Sequence, residues 1–183
     1  MALDIQPTLI GPLVRLRPLR EDDFKELFSV ASDPKIWEQH PARDRYQRPV
    51  FQEFFKSAIL SGGALIIEDS TTTSVIGSSR FANYSSTGSE VEIGWTFLAR
   101  SYWGGKHNSA VKTLMLEHAF KAVDSVLFKV GAQNVRSQKA VLKLGAVQEG
   151  MITAVEAPGL CYRLTRATYR ALNTPSPPAN RDA

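Results

Sequence analysis

Only one cysteine, Cys161, occurs in the 183 residues, which excludes an internal disulfide and any multi-cysteine metal site. It falls in an apolar, strand-like run, where inert packing outweighs a nucleophile's role. Histidine is scarce as well: His40, His107 and His118 share no helical metal spacing, so no metal is expected. No apolar run approaches the roughly 18 residues that span a bilayer. The N-terminal MALDIQPTLIGPLVRLR also lacks the compact apolar core of a signal peptide. A cytoplasmic chain with no membrane partner is therefore expected. The net charge is +4, yet Lys and Arg are scattered and nowhere form the run of about five or six that marks a nucleic-acid arm. No nucleic-acid partner is expected, whereas a polyanionic ligand is compatible with the charge.

What the chain does contain is period. LVRLRP alternates as a strand ended by proline. A helix is predicted from about Glu21 to Asp33-Pro34, with Phe24, Leu27, Phe28 and Ala31 at helical spacing. A second runs through Val50, Phe51, Phe54, Phe55, Ala58 and Ile59 and stops before Gly62-Gly63. Three strands follow, at Ala64 to Glu68, Ser74 to Ala82 and Glu90 to Leu98, separated by Ser/Thr/Gly turns that make them an antiparallel meander. After the loop ARSYWGGKHN comes a helix with Val111, Leu114, Met115, His118, Ala119 and Ala122 on one face, reaching Val123. A strand at Val126 to Val130, a helix opened by Asn134 as N-cap and stopped at Gly145, and strands at Val147 to Thr153 and Leu160 to Thr165 complete the pattern. The tail TPSPPANRDA has three prolines and no core former, so residues 1–172 are expected to form one domain and 173–183 a disordered end.

The glycine loop Tyr102 to Asn108 carries the chemistry. A strand that ends in a glycine turn and opens a helix gathers free backbone N–H groups and the positive end of the helix dipole, a seat for pyrophosphate. A Walker loop would need glycine at Arg100 and Ser or Thr at His107, and no Gly-x-Gly-x-x-Gly is present. Alone, the loop reads equally as a connecting turn.

Four local matches in order resolve this: VRLRPLREDD, EIGWTFL before the loop, YWGGKHN running into KTLMLEHAF, and NVRSQKAVLKLGAVQEG. Together they resemble the GNAT superfamily of acetyl-CoA-dependent N-acetyltransferases, and more narrowly its RimJ/RimL-type branch, over about residues 12 to 170. The resemblance implies an α/β (α+β) GNAT fold: a central mixed, mostly antiparallel sheet of about seven strands flanked by about four helices. It implies that acetyl-CoA is the co-substrate, with Gly104, Gly105, Lys106, His107 and Asn108, flanked by Arg100 and Trp103, at the pyrophosphate. The pantetheine arm would pair with Trp95, Thr96, Phe97 and Leu98 where that strand diverges from Leu127 to Val130, and Asn134 would hydrogen-bond it. The family loop usually carries a second glycine where Lys106 stands.

Acetyl transfer needs a neutral amine, a proton acceptor, donors for the oxyanion and an acid for the thiolate. At pH 7 roughly a tenth of an α-amine is neutral, against about 1 in 2,500 for a lysine, so an α-amine asks less of its base. The tyrosine that many GNAT enzymes use as acid is Val141 here, which leaves Ser137, a residue that the resemblance implies interacts with the CoA sulfur. Glu156 matches the base of the RimL-type pattern and Glu92 that of another branch, with Glu90 a more distant third. The plainer readings are a helix-turn residue for Ser137, an exposed turn for Glu156 and a cross-strand ion pair for Glu92. Trp37 and Tyr46 are candidates for the acceptor pocket or for core filling. The implied function is acetylation of a protein or peptide N-terminal amine; a small-molecule amine acetyltransferase (amino acid, polyamine or aminoglycoside) and a non-catalytic CoA-binding domain are the alternatives. A monomer or homodimer is expected.

Overall fold

The computed structural model describes residues 2–152 and 158–174. Within them lie β1 (Leu9–Ile10), β2 (Val14–Pro18), α1 (Phe24–Ala31), α2 (Arg48–Leu60), β3 (Ala64–Asp69), β4 (Val75–Ser85), β5 (Glu90–Leu98) and α3 (His107–Ala119). They continue with β6 (Ser125–Gly131), α4 (Val135–Leu142), β7 (Val147–Ile152), β8 (Gly159–Thr165) and α5 (Arg166–Asn173). All strands join one eight-stranded sheet in the order β1-β2-β3-β4-β5-β6-β8-β7. The meander β2-β3-β4-β5 is antiparallel as the turns required, and the crossover through α3 makes β5 and β6 the one parallel pair among the described residues.

Two elements correct the sequence reading, which expects about seven strands and four helices. The first is β1, two residues antiparallel to β2 and too short to show a period. The second is α5, eight residues that follow β8 without a break and bury none of their number. It ends at Asn173, one residue past the expected domain end; residues 175–183 lie outside the described residues, as does Thr153. The α3 helix also ends at Ala119 rather than Val123, with a turn leading on to β6.

The sheet is covered on both faces. Leu27, Ala31, Phe51, Phe55 and Ala58 of α1 and α2 pack with Ala64, Ile66 and Phe97, and Val111, Met115, Leu116 and Ala119 of α3 pack with Leu65, Ile67, Val91 and Ile93. Alternation along each strand therefore assigns one parity to each layer. In β5 the parity changes. Val91 and Ile93 belong to the α3 layer, and so does Leu98, five residues on. The extra residue is Trp95, at φ +51, where the register with β4 moves from Arg80↔Gly94 to Ser78↔Phe97. This is a β-bulge in the left-handed region, next to Gly94.

The turn from β2 into α1 is held by a charge cluster. Arg17 donates from Nε to Glu68 at 2.7 Å and from Nη1 and Nη2 to Asp23 at 2.9 and 2.8 Å. Asp23 also accepts the Arg20 N–H at 2.8 Å.

Candidate active site

Pairing between β5 and β6 spans only Glu90↔Ser125, Val91↔Val126 and Glu92↔Leu127. Beyond that point the bulge at Trp95 bends β5 away, and a cavity of about 610 Å³ opens between the strands. Its walls are Gly94 to Leu98 of β5, Phe128 to Gly131 of β6, the glycine loop, the first turns of α3 and α4, and Ile36, Trp37, His40 and Arg45 from the segment between α1 and α2.

The glycine loop ends at α3 as its sequence implied. Gly104 takes φ +70, a conformation that costs a residue with a Cβ about 1–2 kcal/mol. No side chain caps α3, so the N–H groups of its first turn are left for a ligand or water. Of the expected pyrophosphate residues, Trp103, Gly104, Gly105 and Asn108 line the cavity, whereas Arg100, Lys106 and His107 do not. Arg100 pairs with Asp33. The His107 ring turns to Asp69 at 3.6 Å and packs edge-on to Tyr102 at 4.7 Å. Lys106 is the exposed N-cap of α3, with φ −81 and ψ −11; its ordinary backbone shows why glycine is dispensable there.

Trp95, Thr96, Phe97 and Leu98 all reach the cavity wall, as do Asn134 and Ser137. Asn134 is the expected N-cap, accepting the Ser137 N–H at 3.1 Å. Val141, where a tyrosine acid would stand, is buried wall. Trp37 also lines the cavity, its indole N–H donating to the Ala31 carbonyl at 2.7 Å; Tyr46 is exposed and does not. Glu92 is only 4% exposed. Its Oε2 accepts from Asn83 at 2.7 Å and pairs with Lys129 Nζ at 2.8 Å. The other oxygen, Oε1, lies 3.5 Å from where a Cβ on Gly94 would stand; Gly94 lines the cavity and Glu92, behind it, does not. Glu90 is paired with Arg163 away from the cavity, and Glu156 lies outside the described residues. Burial, foremost, pushes the Cys161 thiol up from its ordinary range, in keeping with an inert side chain.

Several polar residues of the site have no motif in the sequence. Lys112 lines the cavity from α3, its Nζ donating to Thr96 Oγ1 at 2.7 Å and lying 5.6 Å from the Phe128 ring centroid. Burial alone pushes it down to about 7. The signal was a lysine inside the buried stripe Val111, Lys112, Met115, Leu116, Ala119; the sequence reading found Val111, Met115 and Ala119 but took Leu114 and His118 where the fold buries Lys112 and Leu116. On the other wall Arg136 stacks on Trp103 at 3.9 Å and donates to the Ile36 carbonyl at 3.1 Å. Arg45 lies over Phe54 at 4.3 Å, and Arg80 over Trp95 at 4.7 Å.

An uncapped helix N-terminus at the mouth of a cleft that a bulge holds open between parallel strands describes a transferase built around a phosphorylated, arm-like co-substrate. Residues 14–147 match the family model for the acetyltransferase (GNAT) domain, and the chain belongs to that family of acetyltransferases. No curated protein sequence matches it significantly. Its fold is shared with a GCN5-related N-acetyltransferase from Brucella melitensis, at 17% identity and TM-score 0.80, covering 91% of this chain and 82% of that one. It is shared with Mycobacterium smegmatis RimJ in complex with CoA-disulfide, at 19% identity and TM-score 0.71 over 91% of each chain. It is shared also with spermidine N-acetyltransferase from Vibrio cholerae in complex with CoA and spermine, at 14% identity and TM-score 0.67 over 87% of this chain and 99% of that one.

Proposed function

We propose that this enzyme transfers the acetyl group of acetyl-CoA to a protein or peptide N-terminal α-amine, the chemistry of the RimJ/RimL-type branch. The observation that carries the reading is the uncapped N-terminus of α3 opening onto the cleft between β5 and β6. The donor set fits a phosphorylated thioester carrier: free N–H groups at α3, Lys139 and Lys143 on the α4 side of the cavity, and unpaired β5 backbone beyond Glu92. Acetyl-CoA supplies the activated acyl group. Gly104 and the first turn of α3 hold its diphosphate, the β5 backbone aligns the arm, and Asn134 keeps Ser137 at the wall where the thiolate leaves.

Proton acceptance falls to a carboxylate. Glu92 is held by Asn83 and Lys129 through one oxygen, with the other toward Gly94, and serves through a bridging water; Glu156 is the second candidate. Glu92→Gln is expected to lower kcat about 100-fold, read by thiol release. Full activity of both Glu92→Gln and Glu156→Gln would sink this mechanism.

Titration with acetyl-CoA, followed by thiol release over a panel of N-terminal peptides and small amines, tests the reading. Binding with no turnover on any amine would leave a CoA-binding domain instead. Lys106→Glu should weaken CoA about tenfold at low salt, with the difference shrinking as salt rises, because a carboxylate would then face the diphosphate. An unchanged dissociation constant would remove Lys106 from the site.

A further inference from the structure

We propose that the acceptor of this enzyme carries a carboxylate close to its amine, seated against Arg45 beside His40, in front of Arg80. The inference deepens the acetyltransferase reading and rests on it.

Two independent observations lead there. The first is an unmatched pair of cations on the α1/α2 face of the cleft. Arg80 is 5% exposed, and its Nε and Nη2 have no hydrogen-bond partner among the described residues. It lies 4.7 Å from the Trp95 ring centroid, and Trp95 is cavity wall. Arg45, on the cavity wall itself, shares the Phe54 ring with it, the two guanidinium carbons standing 4.3 and 5.7 Å from that centroid. Burial, then repulsion from Arg80, pushes Arg45 down to about 10, and among the described residues only its neighbour Asp44 opposes this. Two buried like charges without a counter-ion are costly, and an anion entering the cleft removes the cost.

The second observation concerns protons rather than charge. The Ala42 N–H donates to His40 Nδ1 at 2.9 Å, so Nδ1 offers its lone pair and the ring proton sits on Nε2. Burial, followed by the field of Arg45, pushes His40 down to about 4, which keeps the ring neutral. Arg45 Nη1 faces His40 Nε2 at 3.3 Å; a guanidinium nitrogen only donates, and a ring that accepts at Nδ1 carries its proton on Nε2, so donor meets donor there. An acceptor oxygen in the cleft that draws the Arg45 guanidinium to itself relieves the contact. A carboxylate supplies two such oxygens and the missing charge. Polyamines and aminoglycosides bring further positive charge to the same place and are disfavoured.

A carboxylate beside an α-amine belongs to a free amino acid or to a peptide whose first residues are acidic. Peptides beginning Asp or Glu, their Asn and Gln counterparts, free glutamate and spermidine separate the sources by kcat/KM. The expected result is a preference of at least tenfold for the acidic peptides or for glutamate over the amide peptides, lost in Arg45→Gln and Arg80→Met. The ratio of acidic to amide peptide is read within each variant, so that a general loss of activity cancels from it. Equal rates on acidic and amide peptides, or a preference for spermidine, would overturn the proposal while leaving acetyl transfer intact. Should no amine turn over, thermal shift decides. Succinate, used as the probe, should raise the melting temperature of the wild type and not that of Arg45→Gln, whose altered side chain is partly exposed; an equal rise in both would overturn the proposal.

Discussion

Lys112→Met is expected to stabilise the protein by several kcal/mol at pH 6 and to gain almost nothing at pH 10.5. Lys112 is buried against Phe128 with one hydroxyl partner, Thr96, and burial lowers its pKa from 10.5 to about 7. The unfolded chain therefore binds more protons than the native one between those values, so stability rises with pH across that window. Below about pH 7 both states are protonated and the whole penalty is present. A shift of this size corresponds to about 4–5 kcal/mol. Methionine fills a similar volume without the charge. Urea unfolding at pH 6, 8 and 10 checks this: the wild type should gain stability along the series and the variant should not follow. A residue that costs stability while lining a reaction cavity is commonly kept for function, so the same variant is expected to lose turnover while gaining stability. Full activity would mark Lys112 as a tolerated defect.

Arg17→Met should act in the opposite direction and cost about 3–5 kcal/mol at pH 7, since it strands Asp23 as a buried carboxylate without its cation and leaves Glu68 only Arg15, at 3.4 Å. Burial raises the Asp23 carboxyl, and the hydrogen bonds from Arg17 and the Arg20 N–H, together with the charges of both arginines, outweigh it and hold it below its ordinary value. A depressed carboxylate contributes stability above its unfolded pKa and loses it as pH falls through the folded one. In Arg17→Met that contribution is gone and burial raises the carboxyl instead, so protonation relieves the variant. The cost should shrink as pH falls to about 4 and below. Urea midpoints at pH 7 and 4 decide it, and an equal cost at both would assign the loss to packing rather than charge.

How much of this was legible in the sequence depended on distance along the chain. Phe51, Phe54, Phe55 and Ala58 repeat within one helix, so α2 announced itself; so did the glycine loop, whose Gly104 and uncapped helix lie within a few residues of each other. The two-residue β1 is too short to show a period, and α5 is short, mostly polar and runs straight on from β8. The cation cluster was hidden for another reason. Arg45 precedes α2 and Arg80 lies in β4, and neither is unusual until the fold sets both against Phe54 without an acid. Likewise, Glu92 was named from the sequence, but its hold by Asn83 and Lys129 comes from two other strands, β4 and β6.

The extra residue at Trp95 makes β5 a strand written in two phases. Up to Ile93, odd numbers address the α3 layer; from Thr96 on, even numbers do, and Trp95 and Phe97 turn toward Arg80 and Trp37. Deleting one residue from 94 to 96 would leave Phe97 and Leu98 on the faces and opposite the β4 partners they have now, Ser78 and Gly77, but would remove the bulge. The strand would then run on straight beside β6 and the cleft between them would close. The strand can accept many substitutions here but no change of length, because the one residue it has in excess is what holds the cleft open.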